Sequence, residues 1–144
     1  MRILKAEDGS EIVEFSLIIL PLFGLIFLIL AVGWVVFAKA SLQYAVREGV
    51  RYAVTNQSTP NIQALVQQQS FGFLAGDAGL SKISVNYYTP NNLQQTNSNQ
   101  GGNLVEVSVS GVTVDPFGLK YFGLTPVTLS ADSSDVMESA PPTS

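Results

Sequence analysis

Residues 7–34 read EDGSEIVEFSLIILPLFGLIFLILAVGW, and within them a glutamate, Glu14, stands at the start of a long apolar run. From Phe15 to Ala38 the chain carries no charged residue, and as a helix this run of about 24 residues would extend about 36 Å. The hydrocarbon core of a bilayer is about 30 Å thick, so the run predicts a membrane-spanning helix with some tilt. A carboxylate beside such a span is costly unless it is hydrated or paired. Glu14 therefore lies either in the interface or at a position with a specific role.

The composition argues against catalysis and against nucleic-acid binding. Seven Lys and Arg against eleven Asp and Glu give a net charge of −4, and no basic patch is evident. The absence of cysteine rules out disulfides and thiolate metal sites, and the absence of histidine removes the commonest general base and zinc ligand. Asp132, Asp135 and Glu138 lack the fixed spacing and turn glycine of a calcium loop. We expect no enzymatic activity, no cofactor and no metal.

Two interpretations of the amino terminus need no special motif. A secretory signal peptide would use Arg2 and Lys5 and be cut after the A-x-A pattern at 38–40, releasing a chain that starts at Ser41. The apolar run is longer than the roughly 7 to 15 residues of a signal core, which disfavours this interpretation. An uncleaved anchor would place Glu14 in the headgroup layer. Basic residues flank the run on both sides, so charge does not orient this anchor.

A third interpretation takes Gly9 to Phe15 as one unit, in which a glycine is followed five residues later by a glutamate and then by the apolar helix. This unit resembles the cleavage motif of type IV prepilins, which a membrane peptidase cuts after the glycine on the cytoplasmic side. The resemblance implies a cleaved leader, residues 1–9, and a new amino terminus at Ser10. The Ser10 ammonium and the Glu14 carboxylate would lie one helical turn apart. In the family, that glutamate is thought to meet the amino terminus of a neighbouring subunit, while pairing within one chain is the alternative.

The helix is predicted to continue past the membrane, as one element from Ser10 to Val54. An amphipathic stripe from Ala38 onward includes a ridge of small residues, Ala45, Gly49 and Ala53, which would let another element approach closely. Arg47, Glu48 and Arg51 form a charged strip beside it, with pairing between Glu48 and Arg51. The strip is either a solvated face or part of a subunit interface, for which the candidate residues are Ala45, Arg47, Glu48, Gly49 and Arg51.

A second helix is predicted after NQSTP, residues 56–60, with Thr59 as its N-cap and Pro60 as its first residue. Its apolar face comprises Ile62, Leu65, Val66 and Phe73. The apolar period then changes to two, which predicts three strands: one around 83–87, one from Val105 that shifts phase at Gly111 in a bulge, and one over 127–131.

Three other segments connect or follow these strands. Residues 89–103 are rich in Asn and Gln and are predicted to be mobile or an interaction surface. Residues 115–126 are expected to pad the core, with contact to the bilayer as the alternative. Residues 139–144 are predicted to be disordered. The fold class is therefore α+β: a long transmembrane helix extends into a small head, in which a second helix packs on an antiparallel three-stranded sheet.

Four segments together resemble the TadE-like minor pilins, or pseudopilins, of the tight-adherence (Flp) pilus system. They are EIVEFSLIILPLFGLIFLIL, VREGVRYAV, VEVSVSGVTV and PVTLSADSSDVM, and the strongest parts lie at Gly9–Pro21 and Val46–Ala53. The resemblance implies a pilin-like fold with a leader at 1–9, a transmembrane part at 10–38 and an extracytoplasmic head at 39–138. Its site residues would be Gly9, Ser10, Glu14 and Phe15.

The same resemblance implies a function and a set of partners. The chain would be a processed single-span subunit of the bacterial inner membrane that assists pilus assembly and can enter the surface pilus. Its partners would be a prepilin peptidase, other pilins and pseudopilins through the amino-terminal helix, an inner-membrane assembly platform and membrane lipid. The alternative is an uncleaved, single-pass, membrane-anchored extracytoplasmic binding protein.

Overall fold

A computed structural model describes residues 7–55, 61–123 and 125–138. By its internal contacts the chain divides into two units, Met1–Trp34 and Val35–Ser144. The predicted tail, residues 139–144, and residues 1–6 of the predicted leader lie outside the described residues.

The first unit is helical throughout its described part. Helix α1 begins at Glu7 and ends at Thr55, and its residues up to Trp34 belong to this unit. The predicted single helix from Ser10 to Val54 is thus confirmed. Pro21 lies inside the helix, where it removes one backbone donor.

The second unit is an α+β head. After the last part of α1 come helices α2 (Ile62–Gln69) and α3 (Asp77–Leu80), strand β1 (Ile83–Tyr88), the two-residue strand β2 (Gln95–Thr96), strand β3 (Leu104–Val114), a 3-10 segment (Pro116–Phe122) and strand β4 (Val127–Val136). The strands form one antiparallel sheet in the order β2-β1-β3-β4.

The start of α2 differs from the prediction. Thr59 and Pro60 lie outside the described residues, and the helix instead begins at Ile62 with Asn61 as its N-cap. The Asn61 side-chain oxygen accepts a hydrogen bond from the Ala64 N–H at 3.1 Å. Asparagine caps a helix at least as well as threonine, so the prediction was wrong by two residues.

The sheet has four strands where three were predicted. The additional strand, β2, lies within residues 89–103 and pairs with the end of β1, Tyr87 opposite Thr96 and Tyr88 opposite Gln95. The intervening turn is closed by the Thr89 N–H, which donates to the Gln94 carbonyl at 3.0 Å. The last strand is also longer than predicted, because its pairing with β3 continues beyond Ala131 to Val136. The bulge predicted at Gly111 is confirmed: the register shifts between Val109 and Val112, and Gly111 has φ +71°.

The core of the head lies between one face of the sheet and the two longer helices. Alternation along β3 buries Val105, Val107 and Val109. The facing helical residues are buried as well: Ala38, Leu42, Ala45, Val46, Val50 and Ala53 of α1, and Ile62 and Val66 of α2. This packing fixes the residues of α1 that follow the apolar run.

Candidate functional site

The residues predicted for cleavage and assembly lie at the beginning of α1. Gly9 and Ser10 have helical backbone, and the side chains of Glu14 and Phe15 are exposed within this chain. Ser10 and Glu14 are four residues apart, so they share one face of the helix. The helix thus presents a carboxylate one turn after the position at which cleavage would create an ammonium.

The apolar run after Glu14 forms a continuous exposed surface. Leu17 is 74% exposed and Leu20 is 77% exposed. Ser16, a polar residue in this run, donates its hydroxyl to the Ile12 carbonyl at 2.7 Å and so is satisfied within the helix. Each large side chain left in water forgoes about 1.5–3 kcal/mol of burial, so a surface of this size requires an apolar environment.

The described part of α1 is long and apolar enough to cross a membrane. The candidate span, Glu11–Thr55, has a mean hydropathy of 2.9 in its most apolar window, and 6% of that window is buried by the chain itself. A helix of a soluble core would be covered by its own protein. The low burial therefore indicates membrane anchoring.

The second predicted set of residues divides between the core and the surface. Ala45 and Gly49 are buried in the head. A Cβ added to Gly49 would lie 2.5 Å from Cγ2 of Val66 and 3.6 Å from Cγ1 of Val107. The predicted close approach at the small ridge is thus confirmed, and the approaching elements are α2 and β3 of the same chain.

The charged strip lies on the other side of α1. The Nη1 atom of Arg51 is 3.9 Å from Oε1 of Glu48, which confirms the predicted pair. The Arg51 side chain is mostly exposed, and exposed pairs of this kind contribute about 0.3–0.5 kcal/mol. A subunit interface on this part of α1 would have to use Arg47, Glu48 and Arg51 rather than the buried Ala45 and Gly49.

A polar cleft between α1 and β4 contains acids that the sequence did not connect with this strip. The cleft has a volume of about 450 Å³ and is lined by Arg47 and Arg51 on the helix and by Ser133, Asp135 and Glu138 on and after the strand. Asp135 pairs with Val105, which places it on the helix-packed face of the sheet. Over the described ranges 7–55, 61–123 and 125–138, no three acidic, histidine or cysteine side chains are grouped as metal ligands. The acids instead lie beside the two arginines of α1.

The beginning of α1, through the charged strip, matches a known family. Residues 9–51 match the family model described as TadE-like protein. This segment of the chain is TadE-like. The match begins at Gly9, includes every site residue predicted from the sequence and confirms the resemblance to this family. No curated protein and no solved structure is significantly similar to the chain.

The TadE-like segment links the chain to functions of the tight-adherence pilus. The exposed apolar helix within that segment indicates attachment to a membrane. The matched residues end within the last turns of α1, so the sheet of the head lies outside the match.

Proposed function

We propose that the chain is a minor pilin or pseudopilin subunit that assists assembly of a tight-adherence pilus after a prepilin peptidase has cleaved it between Gly9 and Ser10. The observation that supports this proposal best is that the TadE-like match starts at Gly9 and runs along an apolar helix that the chain leaves uncovered. The exposed apolar surface of this helix suits two apolar environments. It contacts lipid before assembly and neighbouring apolar helices afterwards.

Cleavage supplies the second part of the mechanism. A glycine offers the peptidase an unhindered backbone, and removal of residues 1–9 creates an ammonium at Ser10. Within packed helices, an ammonium and a carboxylate compensate each other's burial, whereas an unpaired charge there is strongly unfavourable. Glu14 would thereby fix the register of a subunit against its neighbour.

The role in this proposal is structural rather than catalytic. The head is placed on the extracytoplasmic side of the bacterial inner membrane, and the subunit works with other pilins, the assembly platform and the peptidase. Arg47, Glu48 and Arg51 are available on the surface of the head for contacts with those partners.

The proposal is tested by sequencing the amino terminus of the protein purified from membranes of cells with and without the peptidase. We expect Ser10 in the first case and the intact leader in the second. A Gly9→Val variant, in which a branched side chain replaces the unhindered position, should keep its leader in both strains. An amino terminus at Met1 in peptidase-positive cells would support the uncleaved anchor, and one at Ser41 would support secretion.

A further inference from the structure

One end of the head gathers exposed apolar rings and lysines. Helix α1 and strand β4 run in the same direction: the Lys39 ammonium donates to the Ser130 carbonyl near the start of the strand, and Arg51 shares a cleft with Asp135 near its end. The start of β4 and the segment that precedes it therefore lie at the same end of the head as residues 35–40. We call this end the basal face and define it by Phe37, Lys39, Phe71, Lys82, Phe117 and Lys120.

The first exposed ring of the basal face belongs to the turn after α2. Phe71 packs against Phe37 of α1 with ring centroids 6.2 Å apart in an edge-to-face arrangement, and Tyr44 is 6.5 Å from it. Phe71 nevertheless remains 67% exposed. Its φ of +53° is uncommon for a residue with a Cβ, and Gly72 continues the turn with φ +87°. The fold thus holds a large apolar ring outside the core at a conformational cost.

The second exposed ring belongs to the 3-10 segment between β3 and β4. Phe117 is 58% exposed and has φ +58°, whereas the preceding Pro116 is buried. The core padding that we predicted for residues 115–126 therefore applies to Pro116 and not to Phe117. Val127, the first residue of β4, is exposed beside this segment.

The lysines of the head lie toward the same end. Residues 35–138 contain three of them: Lys39, Lys82 and Lys120. Lys82 directly precedes β1, and its carbonyl accepts from the Ser110 N–H, while Lys120 is part of the 3-10 segment. Asp115 lies near Lys120, with 4.0 Å between its Oδ2 atom and the Lys120 ammonium, and Asp77 begins α3. The other acids of β3, of β4 and of the residues after β4 lie farther from the basal face. They are Glu106, Asp132, Asp135 and Glu138.

An apolar cleft lies at this end of the head, within the second unit. It has a volume of about 510 Å³, and Val35, Val36 and Leu129 contribute to its lining together with Lys39. Val35 and Val36 are among the last residues of the charge-free run that ends at Ala38. A bilayer crossed by that run would reach its headgroup layer close to Lys39.

We infer that the basal face is a lipid-contact surface, in which the rings of Phe71 and Phe117 enter the headgroup layer and the lysines face lipid phosphates. Surfaces that lie in a membrane interface combine apolar side chains such as Phe, which enter the boundary between headgroups and acyl chains, with basic side chains that are attracted to anionic headgroups. Lysine also keeps its ammonium in the polar layer while its stem contacts apolar groups. Val35 and Val36, which line the cleft, also belong to the charge-free run that would cross the membrane. This shared position favours lipid over a protein partner. This inference depends on membrane anchoring and not on cleavage or pilus assembly.

The test uses the full-length chain in phosphatidylcholine vesicles that contain brominated lipid, with Trp34→Phe as the background. Phe71→Trp and Phe117→Trp report on the basal face. Leu93→Trp is the matched control, because Leu93 is 66% exposed, has φ +52° and follows β1 at the opposite end of the sheet. We expect brominated lipid to quench the first two variants about threefold more than the control. Equal quenching at all three positions would overturn the inference.

Added phosphatidylglycerol tests the lysines. Anionic lipid should increase the quenching of the Phe71→Trp variant, and the further changes Lys82→Gln and Lys120→Gln should remove that increase. Arg47→Gln, a charge change in the other cleft, should leave it in place. A response unaffected by the lysine changes would overturn the electrostatic part of the inference. Far-UV circular dichroism of each variant verifies that the head is folded.

Discussion

At the scale of single residues, Gly49 shows how the small ridge of α1 is used. A helix interior normally favours alanine over glycine by about 0.8–1 kcal/mol. At this position, however, an added Cβ would lie 2.5 Å from Cγ2 of Val66, which is fully buried. Glycine is therefore required here by the proximity of α2, and not by the backbone of α1.

The change Gly49→Ala should lower the free energy of unfolding by about 1–2 kcal/mol, because overpacking costs about 1–3 kcal/mol and the better helix propensity of alanine offsets part of it. Denaturant unfolding in detergent micelles measures this loss. Gly24→Ala is the control, because a Cβ at Gly24 meets nothing within 4 Å. Equal stability of the two variants would contradict the packing of α2 against α1.

Tyr88 gives a second residue-scale prediction, on the outer face of the sheet. A hydrogen bond to Glu106 raises the pKa of Tyr88 above its usual value of 10.0, and burial and the Glu106 charge add to the effect, while Asn86 opposes it. The folded state holds this proton more tightly than the unfolded state, so the interaction contributes its full stability below pH 10. That contribution is lost as the pH rises through the raised pKa.

Titration of ring-labelled tyrosine by NMR measures the effect directly. We expect the Tyr88 resonance to titrate above pH 10 in the native sequence and closer to pH 10 in a Glu106→Gln variant, where the negative charge is gone. Asp132→Gln, a loss of charge on β4, serves as the control and should leave the Tyr88 titration unchanged. A Tyr88 titration insensitive to Glu106→Gln would refute this account of the raised pKa.

At the scale of elements, the periodicity of apolar residues predicted the long helix and the longer strands. It missed the features that depend on a few individual contacts. The long apolar run and the alternation in β1 and β3 identify a helix and strands, because many residues carry each signal. The N-cap at Asn61 and the two-residue strand β2 were not predicted. Each depends on a few hydrogen bonds, and adjacent polar residues of NQSTPN compete for the same role in capping.

The turn between α2 and α3 receives two hydrogen bonds from the side chain of Gln67, in addition to those that Ser70 makes there. The Gln67 Nε2 atom donates to the carbonyls of Leu74 and Gly76, both at 2.8 Å. Gln67→Ala should lower the free energy of unfolding by about 1–3 kcal/mol and speed amide hydrogen exchange in residues 71–76, because the Leu74 and Gly76 carbonyls lose the donor that Gln67 provides, and Gly76 keeps only its bonds from the N–H groups of Gly79 and Leu80. Gln68→Ala changes an exposed neighbour on the same helix and is the control. Identical exchange in the two variants would show that Gln67 does not organise the turn.

At the scale of the whole molecule, the parts of the candidate site differ in how far sequence could reach them. Gly9, Ser10 and Glu14 form a local motif, so their spacing alone identified them, and the family match includes them. The cleft between α1 and β4 depends on strand register: Asp135 approaches Arg51 only because β4 pairs with β3 as far as Val136. No local pattern encodes that register, so the sequence did not predict that Asp135 and Glu138 lie in one cleft with the arginines of α1.

Glu14 provides the whole-molecule prediction. Glu14→Ala should leave membrane insertion intact, since the apolar run from Phe15 is unchanged, but should impair pilus assembly. Removing one partner of a buried ion pair costs about 3–5 kcal/mol, so we expect at least about a tenfold loss of the subunit from the assembled fraction. Immunoblots of membranes and of sheared pili measure the two quantities separately.

Glu11→Ala is the matched control for this experiment, because it removes the same charge from the same helix at a position that is not one turn from Ser10. A helix advances about 100° per residue, so Glu11 lies about 100° around the helix from Ser10, whereas Glu14 lies only about 40° from Ser10 and one turn further along. A general effect of charge near the membrane would make the two variants equally defective. A defect confined to Glu14→Ala would instead require a partner at a fixed position, which is what a neighbouring amino terminus in register provides.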